Sequence, residues 1–307
     1  MAANDFVVGL DCGTSYVKAT AKTVDGKILG HSRLRSPSEI KSVFEEGDCF
    51  FRSHQWWIAF EKVIRNLRDE NELQLSRLRG ICISGITPTL TVFDAARPED
   101  AFSIPYWYIP SVDIPDRSLG LQSFRFRKDL TRERIRILTT LAASRRMKLP
   151  CVTDLVGYLN WYLTGVLTIN SIALAELGLS NSGSDLAELQ VKGGLTPRCA
   201  APLDNIAVSQ NRPLEGVLSP ARITVCCGCA DTIASIVGGG PQQKSELMIY
   251  LGTFGSLLRI DVPVEIVLTE ASLHTVPYTW LLSVPRFGST VEGFTNRWFP
   301  RLKREHR

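Results

Sequence analysis

The sequence has no apolar run of the roughly 20 residues that a helix needs to cross a bilayer. Met1 to Asp5 hold no basic segment leading into an apolar core, so no secretory signal is expected. Histidine is scarce, at 4 in 307 residues, and neither His54 nor His274 has a partner pattern that suggests a ligand or a catalytic pair. With 8 cysteines the chain is too long to be held by a disulfide framework, and a reducing, cytoplasmic setting is expected. Cys226-x-x-Cys229 has metal-like spacing, but no second pair and no histidine stands near it. Small buried cysteines at a strand end are the expectation there. The net charge is only +4, and the basic residues are scattered without interleaved aromatics, so no nucleic-acid partner is expected. The basic run from Arg301 to Arg307 reads as a solvated tail. At 44% hydrophobic and 21% charged, the composition excludes disorder and suits a globular protein of two domains.

Apolar runs at 6–10, 16–23 and 27–31 are separated by turn residues. Asp25-Gly26 is the strongest of these hairpin signals, since both residues tolerate positive φ. An antiparallel meander is therefore expected. Trp56, Trp57, Phe60, Val63, Ile64 and Leu67 recur at helical spacing behind Ser53, a candidate N-cap. Strands are expected at 78–86 and 89–94. The order strand, strand, strand, helix, strand is that of a ribonuclease H-like α/β unit. Residues 122–148 read as one or two surface helices. Residues 149–165 read as one amphipathic helix, with Pro150 near its start and Gly165 at its C-cap. The 178–220 stretch is loop-rich, 221–240 reads strand, turn, helix, and 246–260 reads as two strands about Gly252-Thr253.

Two hairpins, 7–23 and 246–260, share a pattern: an apolar strand, a turn with Gly and Thr, a second strand. A turn with glycine lets several backbone N–H groups approach one anion, because no Cβ blocks the way. The first turn, Gly13-Thr14-Ser15, also carries hydroxyls, with Asp11 before it and Lys18 after it. Phosphoryl transfer needs such N–H groups, an acid for the metal and a base for the attacking hydroxyl. Asp231 follows a strand and opens a helix, and is a candidate base. Each element has a plainer reading: a turn cap for Asp11, an edge charge for Lys18, a helix N-cap for Asp231.

Taken together, "GLDCGTSYVKA", "GCADTIASIVGGG" and "LMIYLGTFGSL" resemble the first phosphate motif, the base segment and the second phosphate motif of the FGGY carbohydrate kinases. "ICISGITPTLTVFD", "LPCVTDLVGYLNWYLTG" and "STVEGFTNRWF" stand in the order of further segments of that family, the xylulose kinases included. The resemblance implies an actin/hexokinase/Hsp70-type fold. It implies ATP and Mg2+ as cofactors and a sugar or polyol as the small-molecule partner. It implies Asp231 as base and as a substrate contact, and Asp11 on the metal side. Gly13, Thr14, Ser15, Lys18, Gly252 and Thr253 are implied at the phosphates. Ile86 and Thr87 stand where the xylulose kinases carry Gln-Met-His. The segment 103–117, which holds Tyr108, occupies the place of a sugar-contacting Trp-x-Asp-x-Arg. One of Trp56 and Trp57 is expected in the core, and Trp57 is taken as the candidate for the sugar site.

The family extends further than this sequence, so residues 1–244 are expected to form the sugar-binding, catalytic domain, and 245–307 the beginning of an incomplete nucleotide-binding domain. Aromatic residues in 246–300 then favour self-association, which is compatible with a homo-oligomer. A non-catalytic, sugar-binding descendant of a kinase is the alternative. The activator ATPases of acyl-CoA dehydratases have a similar first hairpin, but "CCGCAD" continues as a base segment rather than as cluster ligands.

Overall fold

The computed structural model describes residues 5–38, 49–109, 124–208, 223–239, 247–251, 255–261, 263, 266 and 278–284. Two compact units are present, Met1–Ala234 with Val267–Val276, and Ser235–Ile266 with Pro277–Arg307.

The first unit is built on a seven-stranded sheet. The meander is β1 (Phe6–Cys12), β2 (Tyr16–Thr23) and β3 (Ile28–Arg35), paired antiparallel in that order. Gly26, at φ +100°, makes the β2–β3 turn possible. The chain continues through β4 (Phe51–Arg52) and α1 (His54–Glu70) to β5 (Leu78–Gly85), which pairs parallel with β1. On β1 the buried residues alternate: Phe6, Val8, Leu10 and Cys12 face the core and Val7 and Gly9 face outward. The helical stripe of α1, from Trp56 to Leu67, is buried as its spacing predicts, and α1 packs on β2 and β3. Ser53 precedes α1 without capping it. Its hydroxyl is drawn instead into a buried pair with Ser103 Oγ at 2.7 Å.

A second sheet, of four strands, holds β4, β6 (Leu90–Asp94), β7 (Arg97–Ile104) and β8 (Pro150–Asp154), in the order β4-β7-β6-β8. α2 (Phe124–Ser144) is a single helix, and its Ile135, Leu138 and Ala142 are buried with β6, β7 and β8 in a second core cluster. The expected helix over 149–165 is two elements. Residues 150–154 pair antiparallel with β6, and only α3 (Leu155–Thr164) is helical. Proline at the first position of an edge strand removes no needed ladder bond. Asp154 then stops the strand and caps α3, its Oδ1 accepting from Gly157 N at 2.9 Å. Gly165 closes α3 in the left-handed region, at φ 71°.

Next come β9 (Thr168–Asn170), α4 (Ser171–Glu176), α5 (Gly183–Glu188), β10 (Arg198–Ala200), β11 (Asn205–Val208), β12 (Thr224–Cys226) and β13 (Cys229–Ala230), then α6 (Asp231–Gly239). Both β12 and β13 run parallel to β5, which places β5 between β1 and the β12–β13 segment. Among the described residues no group of three or more His, Cys, Asp or Glu could hold a metal. Among them also, no helix is long and apolar enough to cross a membrane. The second unit contains β14 (Leu247–Leu251), β15 (Gly255–Ile260) and β16 (Tyr278–Val284), an antiparallel three-stranded sheet.

Gly228, between β12 and β13, has φ +79°, and a Cβ there would stand 2.0 Å from the carbonyl oxygen of Ile83. The main chain crosses the end of β5 at a distance only glycine allows. Gly228→Ala should destabilise the unit by about 2–5 kcal/mol, from left-handed backbone strain plus overpacking. Urea unfolding would measure this, and a loss below about 1 kcal/mol would show that the crossing can open.

Candidate active site

Parallel strands joined through a sheet carry their C-terminal ends to one edge. Here β1, β5 and β13 all end there, and β1 and β13 are separated only by β5. Asp11 lies opposite Ser84, and Ser84 lies opposite Cys229. Asp231 follows β13 directly and opens α6. Two acids more than 200 positions apart in sequence therefore share one end of one sheet, where open α/β sheets commonly hold ligands.

Asp11 also faces Lys18 across the β1–β2 ladder, and Lys18 Nζ donates to its Oδ2 at 3.1 Å. The two side chains are 34% and 55% exposed, so the pair contributes about 0–1 kcal/mol to stability. Asp11 Oδ1 is buried and has no hydrogen-bond partner. An orphaned buried oxygen costs about 1–3 kcal/mol. The acid is thus not held at this position by its contribution to the fold. The turn beside it is firmly tied: Gly13 N donates to Tyr16 O at 3.1 Å, Ser36 Oγ to Gly13 O at 2.6 Å, and Ser36 N to Ser15 O at 3.1 Å. A Cβ at Gly13 would stand 3.7 and 3.8 Å from the two carboxylate oxygens of Asp11. Glycine therefore leaves the approach to that carboxylate open. Thr14 is half-buried and Ser15 exposed on the same turn. An anionic ligand with a bound cation fits this set: two hydroxyls, an ammonium group and an unsatisfied carboxylate oxygen.

Asp231 is part-buried, and its Oδ1 accepts from Thr232 N at 2.7 Å. Burial, and then the negative charge of Asp11, push its pKa up to about 7, against the opposing pull of Thr232 and Lys18. Asp11, Lys18 and Asp231 thus form one electrostatic cluster. Cys229, buried beneath them, is pushed up to about 12 by burial and then by the charges of Asp231, Glu176 and Asp11. Glu176 ends α4 and accepts from Thr87 Oγ1 at 3.3 Å. Sequence reasoning did not single out Glu176. Its one signal would have been an acid closing a helix in an otherwise apolar stretch.

The structure does not bring every expected residue to this edge. Trp57 is a correction: its ring stacks on Phe60 and Tyr162, with centroids 5.0 and 4.5 Å away, and only 5% of it is exposed. Both Trp56 and Trp57 are core residues, because the stripe of α1 is wide enough to bury neighbouring positions. Ile86 is a second correction. Its side chain is in the main core cluster, and only its N–H reaches toward the edge, donating to Cys12 O at 3.2 Å. Tyr108 is half-buried against the second core cluster, and its carbonyl accepts from Arg134 at 3.1 and 2.6 Å. Arg134 is buried, which lowers its pKa to about 10, and it also donates to Tyr106 O. Gly252 and Thr253 lie outside the described residues.

A meander paired through its first strand to parallel strands, with acids at their C-terminal ends, defines the ribonuclease H-like fold of the actin, hexokinase and Hsp70 ATPases. Residues 6–107 match the FGGY family of carbohydrate kinases, N-terminal domain. Among solved structures, a xylulose kinase from Rhodospirillum rubrum is similar at TM-score 0.70 and 17% identity, covering 96% of this chain and 64% of its own. A gluconate kinase from Lactobacillus acidophilus is similar at 0.66 and 16%, covering 95% and 62%. A glycerol kinase from Plasmodium falciparum, with ADP, is similar at 0.64 and 12%, covering 95% and 63%. At these identities the likeness is one of fold, and the chain spans less than two thirds of each structure's length. No curated protein matches the sequence.

The cluster makes opposite predictions for its two flanking charges. In metal-free buffer, Asp11→Asn should lower the Asp231 pKa below about 7, and Lys18→Met should raise it above that value. Carboxyl-carbon NMR titration would read both shifts. Movement of the same sign in the two variants would show that the three groups do not interact as described.

Proposed function

We propose that this chain carries the acceptor-binding and base-bearing part of a kinase that transfers the γ-phosphoryl group of ATP to a hydroxyl of a sugar or polyol. The observation that carries the reading is the common sheet edge of Asp11, Lys18 and Asp231, where Asp231 titrates near neutrality. A base with a pKa close to the working pH is well matched to taking a proton from a hydroxyl. Thr232 N–H holds Oδ1 of Asp231, so we assign Oδ2 as the oxygen that receives the proton.

Asp11, through its partnerless Oδ1, is the candidate ligand for Mg2+. Gly13, Thr14, Ser15 and Lys18 would approach phosphate, with Gly252 and Thr253 as candidates from the second hairpin. When bound, Mg2+ and ATP supply the transferable group and neutralise charge that develops on it. Thr87 and Glu176 are candidates for orienting acceptor hydroxyls, being polar and close to Asp231 through Cys229. Structural neighbours named as kinases of xylulose, glycerol and gluconate support a polyhydroxylated acceptor. We assign residues 1–244 to the sugar-binding, catalytic domain and 245–307 to the nucleotide-binding domain.

Asp231→Asn keeps the oxygen that faces Thr232 and removes the proton acceptor. It should lower sugar-dependent ADP release about a hundredfold or more, across a panel of ketoses, aldoses and polyols. Undiminished turnover would overturn the assignment. The rate of the unaltered protein should rise with pH through about 7, as Asp231 ionises. Stability should move the other way. The folded value lies above the ordinary 3.8, so Asp231 favours the fold when protonated, a contribution complete below about pH 4 and lost as pH rises through about 7. The stability of Asp231→Asn relative to the unaltered chain should therefore be greater at about pH 8 than at about pH 4.

A further inference from the structure

Cys226 and Cys229 have metal-like spacing in the sequence, yet the fold gives Cys226 a different neighbour. β12 pairs with β5 through Thr224 with Gly80 and Val225 with Ile81. One step further along the same register Cys226 comes beside Cys82, close enough for each thiol to shift the other's pKa. Neighbouring strands lie about 4.8 Å apart, inside the Cα separation of about 4.4–6.8 Å that a disulfide accepts. Both side chains belong to the less buried face of the sheet, since Ile81, Ile83 and Val225 between them are buried in the core. Cys82 and Cys226 are half-buried, whereas Cys12, Cys151, Cys227 and Cys229 are buried. Opposite Cys82 on β1 stands Gly9, which is exposed, and a Cβ there would meet nothing within 4 Å. A small molecule can therefore reach the pair across Gly9.

We propose that Cys82 and Cys226 form a redox-active dithiol, a modification site that takes hydroperoxides and closes to a disulfide tying β5 to β12. The Cys226 sulfur attacks one oxygen of the hydroperoxide, the O–O bond breaks, and the other oxygen leaves as alcohol or water after taking a proton. Cys226 becomes a sulfenic acid. Cys82 sulfur then attacks Cys226 sulfur, the S–O bond breaks, and hydroxide leaves with the Cys82 proton as water. Two thiols are oxidised by two electrons in total and the hydroperoxide is reduced by two. The roles divide as the surroundings dictate. The neighbouring Cys82 thiol lowers the Cys226 pKa to about 7, while Cys226, and then burial, push Cys82 upward. Cys226 is the attacking sulfur and Cys82 the resolving one.

The test uses the full chain with hydrogen peroxide, followed by alkylation, proteolysis and tandem mass spectrometry. The expected product joins the Cys82 and Cys226 peptides and is undone by dithiothreitol. In Cys82→Ser the cross-link should be lost while sulfenic acid accumulates at Cys226, detected by dimedone. In Cys226→Ser, Cys82 should resist peroxide. Without oxidant, iodoacetamide should modify Cys226 at least about tenfold faster than buried Cys229. A disulfide between Cys226 and Cys227 or Cys229, or peroxide oxidation of Cys226 no faster than of the buried thiols, would overturn the proposal.

Discussion

The site depends on the parallel pairing of β5 with β1 on one side and with β12 and β13 on the other. Parallel strands cannot be joined by a tight turn, so each return requires a long excursion. Between β1 and β5 the chain builds the meander and α1. Between β5 and β12 it builds β6, β7 and β8 of the second sheet, with α2 and α3. Those excursions supply the core that buries β5, whose Leu78, Ile81 and Ile83 are at most 1% exposed. Burying that strand is what aligns the ends of its neighbours, and so what sets Asp11 and Asp231 on one edge.

The same arrangement produces the electrostatics. Water would hold a free carboxylate ionised well below neutral pH. At this edge burial and a second acid together oppose ionisation of Asp231, while Lys18 and the N–H of Thr232 favour it. The result is a group poised near pH 7, which neither the helix cap nor the ion pair would create alone. Asp154 shows the contrast. Burial raises its pKa to about 7 as well, but Gly157 and Asn170 occupy its oxygens, and it serves the start of α3. Two acids with similar pKa values thus differ in whether a buried network has used up their acceptors.

Much of this was legible in the chain. The meander, the stripe of α1, the Asp25-Gly26 turn, the left-handed cap at Gly165 and the strand–helix junction at Asp231 all follow from local chemistry. Their signals repeat within a few residues. β7 was not expected, because Arg97, Pro98, Glu99 and Asp100 hide the buried half from Ala101 to Ile104. Residues 150–154 look helical beside the apolar run that follows, and only the free edge of β6 makes them a strand. Ser53 illustrates the same competition, because a partner hydroxyl on β7 outbids the helix N–H.

By itself the sequence determined the strand and helix periods, the glycine turns and the residue types able to handle phosphate and protons, because these rest on bonding geometry within short segments. Only the tertiary structure decided which of them meet. It buried Trp57 and Ile86, brought Glu176 to Thr87, and set Asp231 across β5 from Asp11 and Cys226 beside Cys82. Those neighbours are far apart in the chain, and their distances depend on which strand ladder and which buried face win the competition for the core.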